Sequence, residues 1–249
     1  MISNYYLLPE FTPARLQDLV LWLEPWSFRG RTWCNLAPSY SDRNHGTAQG
    51  GVGFSTWHPQ FPPAPTFNGV DGYVDCGNNP SLPEDTPFTV SVWTKVNAQD
   101  DQWRVVTDKY KKSSYATLGI WKSNDNRWSF TTGNGAWHDL KGGSITPGVW
   151  YCVVVVWDGT TKYIYVNGEL DNSAVPSESQ KPCSGAGNLW IGARNINAYY
   201  FNGKIDELCI YNRALSPTEI EILYNNYMQK MGSYFNVRKY ATPAPVVIV

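Results

Sequence analysis

The stretch FNGKIDELCIYNRALSPTEI, residues 201–220, decides how the rest of the chain is read. Its first half, 201–211, is dense in β-forming residues and reads as a strand that ends at Asn212. Its second half opens a helix. Ser216-Pro217-Thr218-Glu219 is a capping box. Ser216 can cap a free N–H of the first turn, Pro217 takes the first helical position, and Glu219 can reach back. Leu215 and Ile220 stand at the two staple positions. Ile220, Leu223, Tyr224, Tyr227 and Met228 follow at spacings of three and four, an apolar stripe that must dock on something. Gly232 is the expected terminator.

Working outward, the chain before this stretch is a run of short strands broken by turns. Segments 73–76, 88–96, 104–109, 116–121, 127–132, 162–166 and 189–193 all read as strands. In 88–96, Phe88, Val90, Val92 and Thr94 alternate with Thr89, Ser91, Trp93 and Lys95, which predicts a half-buried strand. Residues 149–157 are nearly all apolar and predict a central strand covered on both faces. Asn167-Gly168 is a hairpin turn signal, because both residues tolerate the positive φ a two-residue turn needs. Towards the N-terminus, Thr12-Pro13 opens a short helical turn and 19–23 is a strand. Residues 24–61 read as irregular loop with one or two short strands. Residues 233–249 read as a tail. Its last four residues, 246–249, are apolar β-formers, so it is expected to pair with its own sheet edge or a neighbour's. The domain division is therefore 1–232, one β-sandwich with the N-terminal helical turn included, and 233–249, a C-terminal tail or assembly arm.

Bulk properties narrow the function classes. The 249 residues carry a formal net charge of -1, so no basic excess is present to match nucleic-acid phosphates. Lys109, Lys111 and Lys112 form the only basic cluster, expected on a solvated loop. Aromatic residues make up 15% and Trp numbers 12, a count that fits both a wide sandwich core and a few exposed ligand contacts. Most are expected inside and a few on sugar or protein contacts. The five cysteines, 34, 76, 152, 183 and 209, are odd in number and irregularly spaced, a poor disulfide framework. Buried thiols are the default reading for Cys152 and Cys209. No signal peptide is visible at the start, and no apolar run approaches the roughly 18 residues of a membrane helix.

Residues 201–220 resemble the closing motif of laminin-G-like domains of the concanavalin A-like lectin/glucanase superfamily. Other pieces agree in order: 67–74 (FNGVDGYV), 88–93 (FTVSVW), 150–156 and 163–169 (YIYVNGE). The resemblance covers about 19–229. It implies an all-β, concanavalin A-like jelly-roll sandwich of two antiparallel sheets, with the C-terminal helix packed on it. It also implies a non-catalytic module that binds glycans or proteins, often with a structural calcium. For calcium, related domains bring an acidic residue of the closing strand to a loop near the first strand. Asp206 fits the former, and Glu24 with Asn44 of the 42–44 loop fits the latter. The alternative is that Asp206 caps a turn or pairs with an Arg.

Catalysis is tested against the two carboxylates a glycosidase needs. The Glu-x-Asp-x-x-Glu strand of hydrolase relatives has no match here. Asp206 and Glu207 are adjacent and should point to opposite faces of their strand. The chain is therefore expected not to be an enzyme. For ligand contact, the Gly-rich segment 133–139 is expected to be a rim loop presenting Trp137 and His138. Segment 195–200 should present Tyr199 and Tyr200. Rings folded over the core are the competing reading of each. Three functions stand side by side. A phage virion component, either capsid decoration or tail protein, is preferred for context. It would contact neighbouring virion subunits or itself through the tail. A carbohydrate-binding or adhesion module, extracellular or at a cell surface, is the alternative, and a glycoside hydrolase comes third. No nucleic-acid partner and no membrane insertion are expected.

Overall fold

The computed structural model describes residues 17–54, 64–111, 115–184, 187–194 and 198–239. The N-terminal helical turn expected near residue 13 and the tail from 240 onward lie outside the described residues. In chain order the strands are β1 (Leu19–Leu23), β2 (Phe28–Arg29), β3 (Thr32–Trp33), β4 (Gly46–Gln49), β5 (Val52–Phe54) and β6 (Pro65–Asn68). Then come β7 (Tyr73–Asp75), β8 (Phe88–Val96), β9 (Arg104–Lys111), β10 (Tyr115–Lys122), β11 (Arg127–Gly133) and β12 (Trp137–Ser144). The last are β13 (Trp150–Trp157), β14 (Lys162–Val166), β15 (Glu169–Ala174), β16 (Leu189–Ile191) and β17 (Asn202–Tyr211), followed by helix α1 (Pro217–Lys239).

These strands make two antiparallel sheets. One, eight-stranded, runs β15-β14-β13-β8-β17-β6-β5, with β1 also paired to β17. The other, nine-stranded, runs β12-β11-β10-β9-β16-β7-β4-β3-β2. Between them lies the main core, with Phe88, Val90, Val153 and Val155 of one sheet facing Ile120, Phe130 and Ile191 of the other. The expected sandwich is therefore the observed one, and it has a third layer. Helix α1 covers the outside of the eight-stranded sheet. Leu215, Ile220, Leu223 and Tyr227 pack there on Trp93, Cys152, Val154 and Val156. The capping box forms as read: Ser216 N–H donates to Glu219 Oε2 at 2.8 Å, and Glu219 N–H to Ser216 Oγ at 3.4 Å.

This third layer changes several sequence readings. β8 is buried on both faces rather than half-buried, because Trp93 points into the helix and stacks on Tyr227 at 4.1 Å. β13, between β14 and β8, is covered on both faces as its unbroken apolar run implied. The helix does not stop at Gly232 but continues to Lys239, so it crosses the proposed 232/233 boundary, and residues 233–239 are helical rather than extended. A single glycine costs a helix only about 1 kcal/mol relative to alanine. The supposed irregular segment after β1 holds four short strands, β2 to β5, which extend both sheets. Lys109 is not on a solvated loop. It sits on β9, fully buried, its ammonium 2.5 Å from Glu84. Lys111 closes the same strand, and Lys112 lies outside the described residues. The Asn167-Gly168 turn is formed, with φ of 54° and 86°.

Candidate functional site: an aromatic and arginine cluster on the nine-stranded sheet

Side chains alternate across a strand, so the core-facing set identifies the outward-facing set. Ile120 and Ile191 face the core, and each pairs in register with Thr107 of β9. The next residue of β9, Asp108, therefore points outward. Its register partners are Gly119 of β10 and Trp190 of β16. Farther out, Thr131 pairs with Gly119, and Asp139 with Thr131.

At the centre of this outer face Arg194 leaves the end of β16. Its Nε donates to Asp108 Oδ2 at 2.8 Å. Four rings surround its guanidinium: Trp121 at 4.2 Å, Tyr110 at 4.3 Å, Trp137 at 4.7 Å and Tyr199 at 5.4 Å. Each contact sets a cation against a ring's negative face. Asp108 is fully buried, and burial pushes its carboxyl up to about 6 although Arg194 lies beside it. Three polar atoms on this face have no hydrogen-bond partner: Asp108 Oδ1, Trp121 Nε1 and Trp190 Nε1. An unserved buried donor or acceptor costs on the order of 1–3 kcal/mol. Gly119 makes the approach of two of them workable. A Cβ there would lie 2.5 Å from Trp121 Nε1 and 3.0 Å from Asp108 Oδ1. Beside this centre, Tyr73 stacks on Trp190 at 4.0 Å.

The expected ligand residues are partly gathered here. Trp137 and Tyr199 both enter the cage, and Tyr199 is 44% exposed. Tyr200 stands on the Tyr73 side, its hydroxyl pushed up by burial and then by Tyr73 and Asp71. Of the loop before these two residues, 195–197 lie outside the described residues. His138 is elsewhere. The segment expected as a rim loop is strand β12 from Trp137 on, so Trp137 and His138 point to opposite faces. His138 turns inward, where Nδ1 meets the Lys162 ammonium at 3.1 Å. Burial, then Lys162, lowers the His138 value. Lys162 also donates to the carbonyls of Phe130 and His138, and burial brings its value down to about 7. Asp108, Tyr110, Trp121, Trp190 and Arg194 were missed. The one signal was Asp108 itself, a carboxylate inside a β-rich run, which demands a buried partner.

The residues expected at calcium do not form one set. Asn44 donates to Val20 O at 3.2 Å and to Ser81 Oγ at 2.8 Å, which ties it to the Tyr211 end of the β1–β17 pair. Asp206 lies beyond the other end, past Leu208, where Glu24 also follows β1. At roughly 3.3 Å per residue the two ends are on the order of 10 Å apart, too far for ligands of one ion. Asp206 Oδ2 accepts the Tyr227 hydroxyl at 2.9 Å beneath α1. Among the described residues no three His, Cys, Asp or Glu side chains gather as a metal site. The expectation that Asp206 and Glu207 point apart is corrected. A bulge falls between Asp206 and Cys209, and Glu207 adopts φ 47°. Both carboxylates then face the helix side. Glu207 accepts Trp22 Nε1 at 3.3 Å, and both, after burial, push the Tyr227 hydroxyl well up. Both are buried, Asp206 at 2% and Glu207 at 8% exposure, so the pair is not open to a substrate.

Comparison with known proteins agrees with this architecture. Residues 68–221 match the laminin-G family model of the concanavalin A-like lectin/glucanases superfamily, and the chain belongs to that family. No curated protein matches the sequence. Among solved structures, the binding domain of Paraclostridial Mosquitocidal Protein 1 is similar at TM-score 0.67 and 17% identity, over 86% of this chain and 53% of that one. The botulinum neurotoxin serotype D/C binding domain is similar at TM-score 0.63 and 16% identity, over 85% of this chain and 53% of that one. Trypanosoma rangeli sialidase is similar at TM-score 0.62 and 18% identity, over 83% of this chain and 32% of that one. This chain thus spans about half or a third of those proteins, and the likeness is one of fold.

Proposed function

We propose that this chain is a non-catalytic, lectin-like recognition module that binds a glycan on the outer face of the nine-stranded sheet. The observation that carries the reading is the Arg194 cage: aromatic rings around a fixed polar centre, with Tyr199 and Trp137 reaching the solvent edge. Sugars present flat C–H faces ringed by hydroxyls, and an aromatic surface beside oriented polar groups suits both. The binding-domain names of the similar toxin structures are in keeping with a recognition role. The sialidase likeness leaves an enzyme reading in view, but the one adjacent carboxylate pair on the closing strand lies sealed under α1. Membership of a virion, as capsid decoration or tail protein, would add a context to this activity, and no feature of the described residues bears on it.

The test is a glycan array followed by titration of the best ligand. Wild type should bind at least one glycan class. Trp137→Ala with Tyr199→Ala should weaken binding about tenfold or more while the fold's circular dichroism is kept, since truncated aromatic anchors commonly cost that much. No glycan bound, or full affinity in the folded double variant, would refute the proposal.

A further inference from the structure

Resting on the glycan reading, we infer that the ligand is a neutral pyranose, recognised by two neighbouring hydroxyls that bind Asp108 Oδ1 and the indole N–H groups of Trp121 and Trp190.

The inference starts from the three unpartnered atoms on the outer face. They come from side chains that are each at most 8% exposed, so bulk water does not serve them. They are also neighbours. Trp190 is the register partner of Asp108 on one side, and Gly119 on the other, with Trp121 Nε1 leaning over that glycine. Trp128 Nε1 also lacks a partner, but it belongs to the apolar core between the sheets. The outer set is one acceptor between two donors. A hydroxyl group is the complement, because it donates and accepts at once. Two hydroxyls on adjacent ring carbons would use all three atoms.

Charge decides between neutral and acidic sugars. A carboxylate or sulfate has no hydrogen to give Asp108 Oδ1. Among the described residues the cation at the centre, Arg194, is already engaged by Asp108. Two more carboxylates share the face: Asp75, opposite Trp190, and Asp139, which accepts from Thr131 Oγ1 at 2.6 Å. Lys141, another described cation nearby, is tied to Asp125 at 2.9 Å. An anionic ligand would meet a surplus of like charge.

Entry is over Tyr199. Its ring packs edge-on against Trp121 at 5.3 Å and is the most exposed of the cage. Its backbone is pinned at φ 60°, with the carbonyl accepting Val105 N–H at 2.9 Å. A turn of that side chain, with the main chain unmoved, would open the edge of the cage to a ligand.

The experiment compares the full chain binding galactose-, glucose- and mannose-terminated oligosaccharides with sialylated and sulfated counterparts. It then repeats the best neutral ligand with Trp190→Phe and with single-deoxy analogues. Trp190→Phe keeps a ring to lie on Tyr73 and removes the unpartnered N–H together with part of the indole. The smaller ring lowers stability somewhat, so affinity is measured on the folded variant well below its melting midpoint, where it should fall about tenfold. One deoxy analogue should lose at least as much, because the site's polar groups are again left unserved. Acidic glycans bound in preference would overturn the neutral assignment and leave the glycan reading standing. Unchanged affinity in Trp190→Phe would show that trapped water serves these atoms and that the hydroxyl contacts are wrong. Failure to bind any glycan would instead remove the reading beneath the inference.

Discussion

Lys162 illustrates what a single residue contributes. On β14 it is an ordinary polar position in sequence, yet its ammonium lies between the sheets, over the Phe130 ring at 4.5 Å. Burial lowers its value from 10.5 to about 7. Between those values the unfolded chain holds the proton and the native chain does not, so native stability rises with pH across that window. Below about pH 7 both states are protonated and the whole cost of the buried charge is present. Lys162→Met should therefore flatten the stability profile. Comparing denaturant midpoints at pH 7 and 9.5, wild type should gain on the order of 2–3 kcal/mol more than the variant. Equal pH dependence would mean that Lys162 keeps an ordinary value. At this scale the sequence was only half legible. Trp137 and Tyr199, expected on two separate rim loops, meet around Arg194, whereas His138, expected beside Trp137, turns to the other face because residues 137–144 form a strand. The pairing of Asp206 with Glu207 was hidden by the bulge, since a backbone irregularity resets the two-residue period that the sequence argument assumes.

Elements were more legible where a local pattern is strong. β8, β13 and β14 occupy nearly the segments read for them, β8 from its alternation, β13 from its apolar run and β14 from the turn signal that follows it. β12 escaped notice: WHDLKGGS carries two glycines and three charged or polar residues besides His138, and much of it faces solvent. Its stability comes from pairing with β11 and from contacts across to β15, where Asn172 Nδ2 donates to Lys141 O at 2.9 Å. None of that is local. The helix start was plain from its capping box, whereas its end was not, since tertiary context and not one glycine determines where it stops. The central strand offers a sharp test. Val154 is fully buried on the helix side of β13, beside Cys152, whose thiol burial pushes up to about 12. Val154→Asp should prevent folding, because an unpaired buried charge costs several kcal/mol against a total of roughly 5–15. A soluble variant with an unchanged melting midpoint would contradict the three-layer packing.

At the scale of the whole molecule the sequence resemblance identified the sandwich and the helix on it, but not which surface was left over for a ligand. That depends on which sheet the helix covers, a choice made by facing side chains far apart in the chain. The same global arrangement bears on calcium. Since Asn44 and Asp206 stand at opposite ends of the β1–β17 pair, the three named residues should not act together on one ion. The change in melting midpoint between excess chelator and millimolar calcium should be the same for wild type and Asp206→Ala, and a calcium response lost in the variant would restore that site.

The helix that closes the eight-stranded sheet also gives the molecule a front and a back. Its first three turns lie flat on the far side from the Arg194 cage, so one broad surface is spent on internal packing and the opposite one carries the rings. On the proposed glycan reading, such a body would meet a glycan-coated surface in one orientation, with the Arg194 face down. Anything fused or tethered near α1 would ride on the upper side, clear of the contact. Several copies held side by side through their backs would then present a sheet of parallel sites, and weak single contacts would add up to firm attachment.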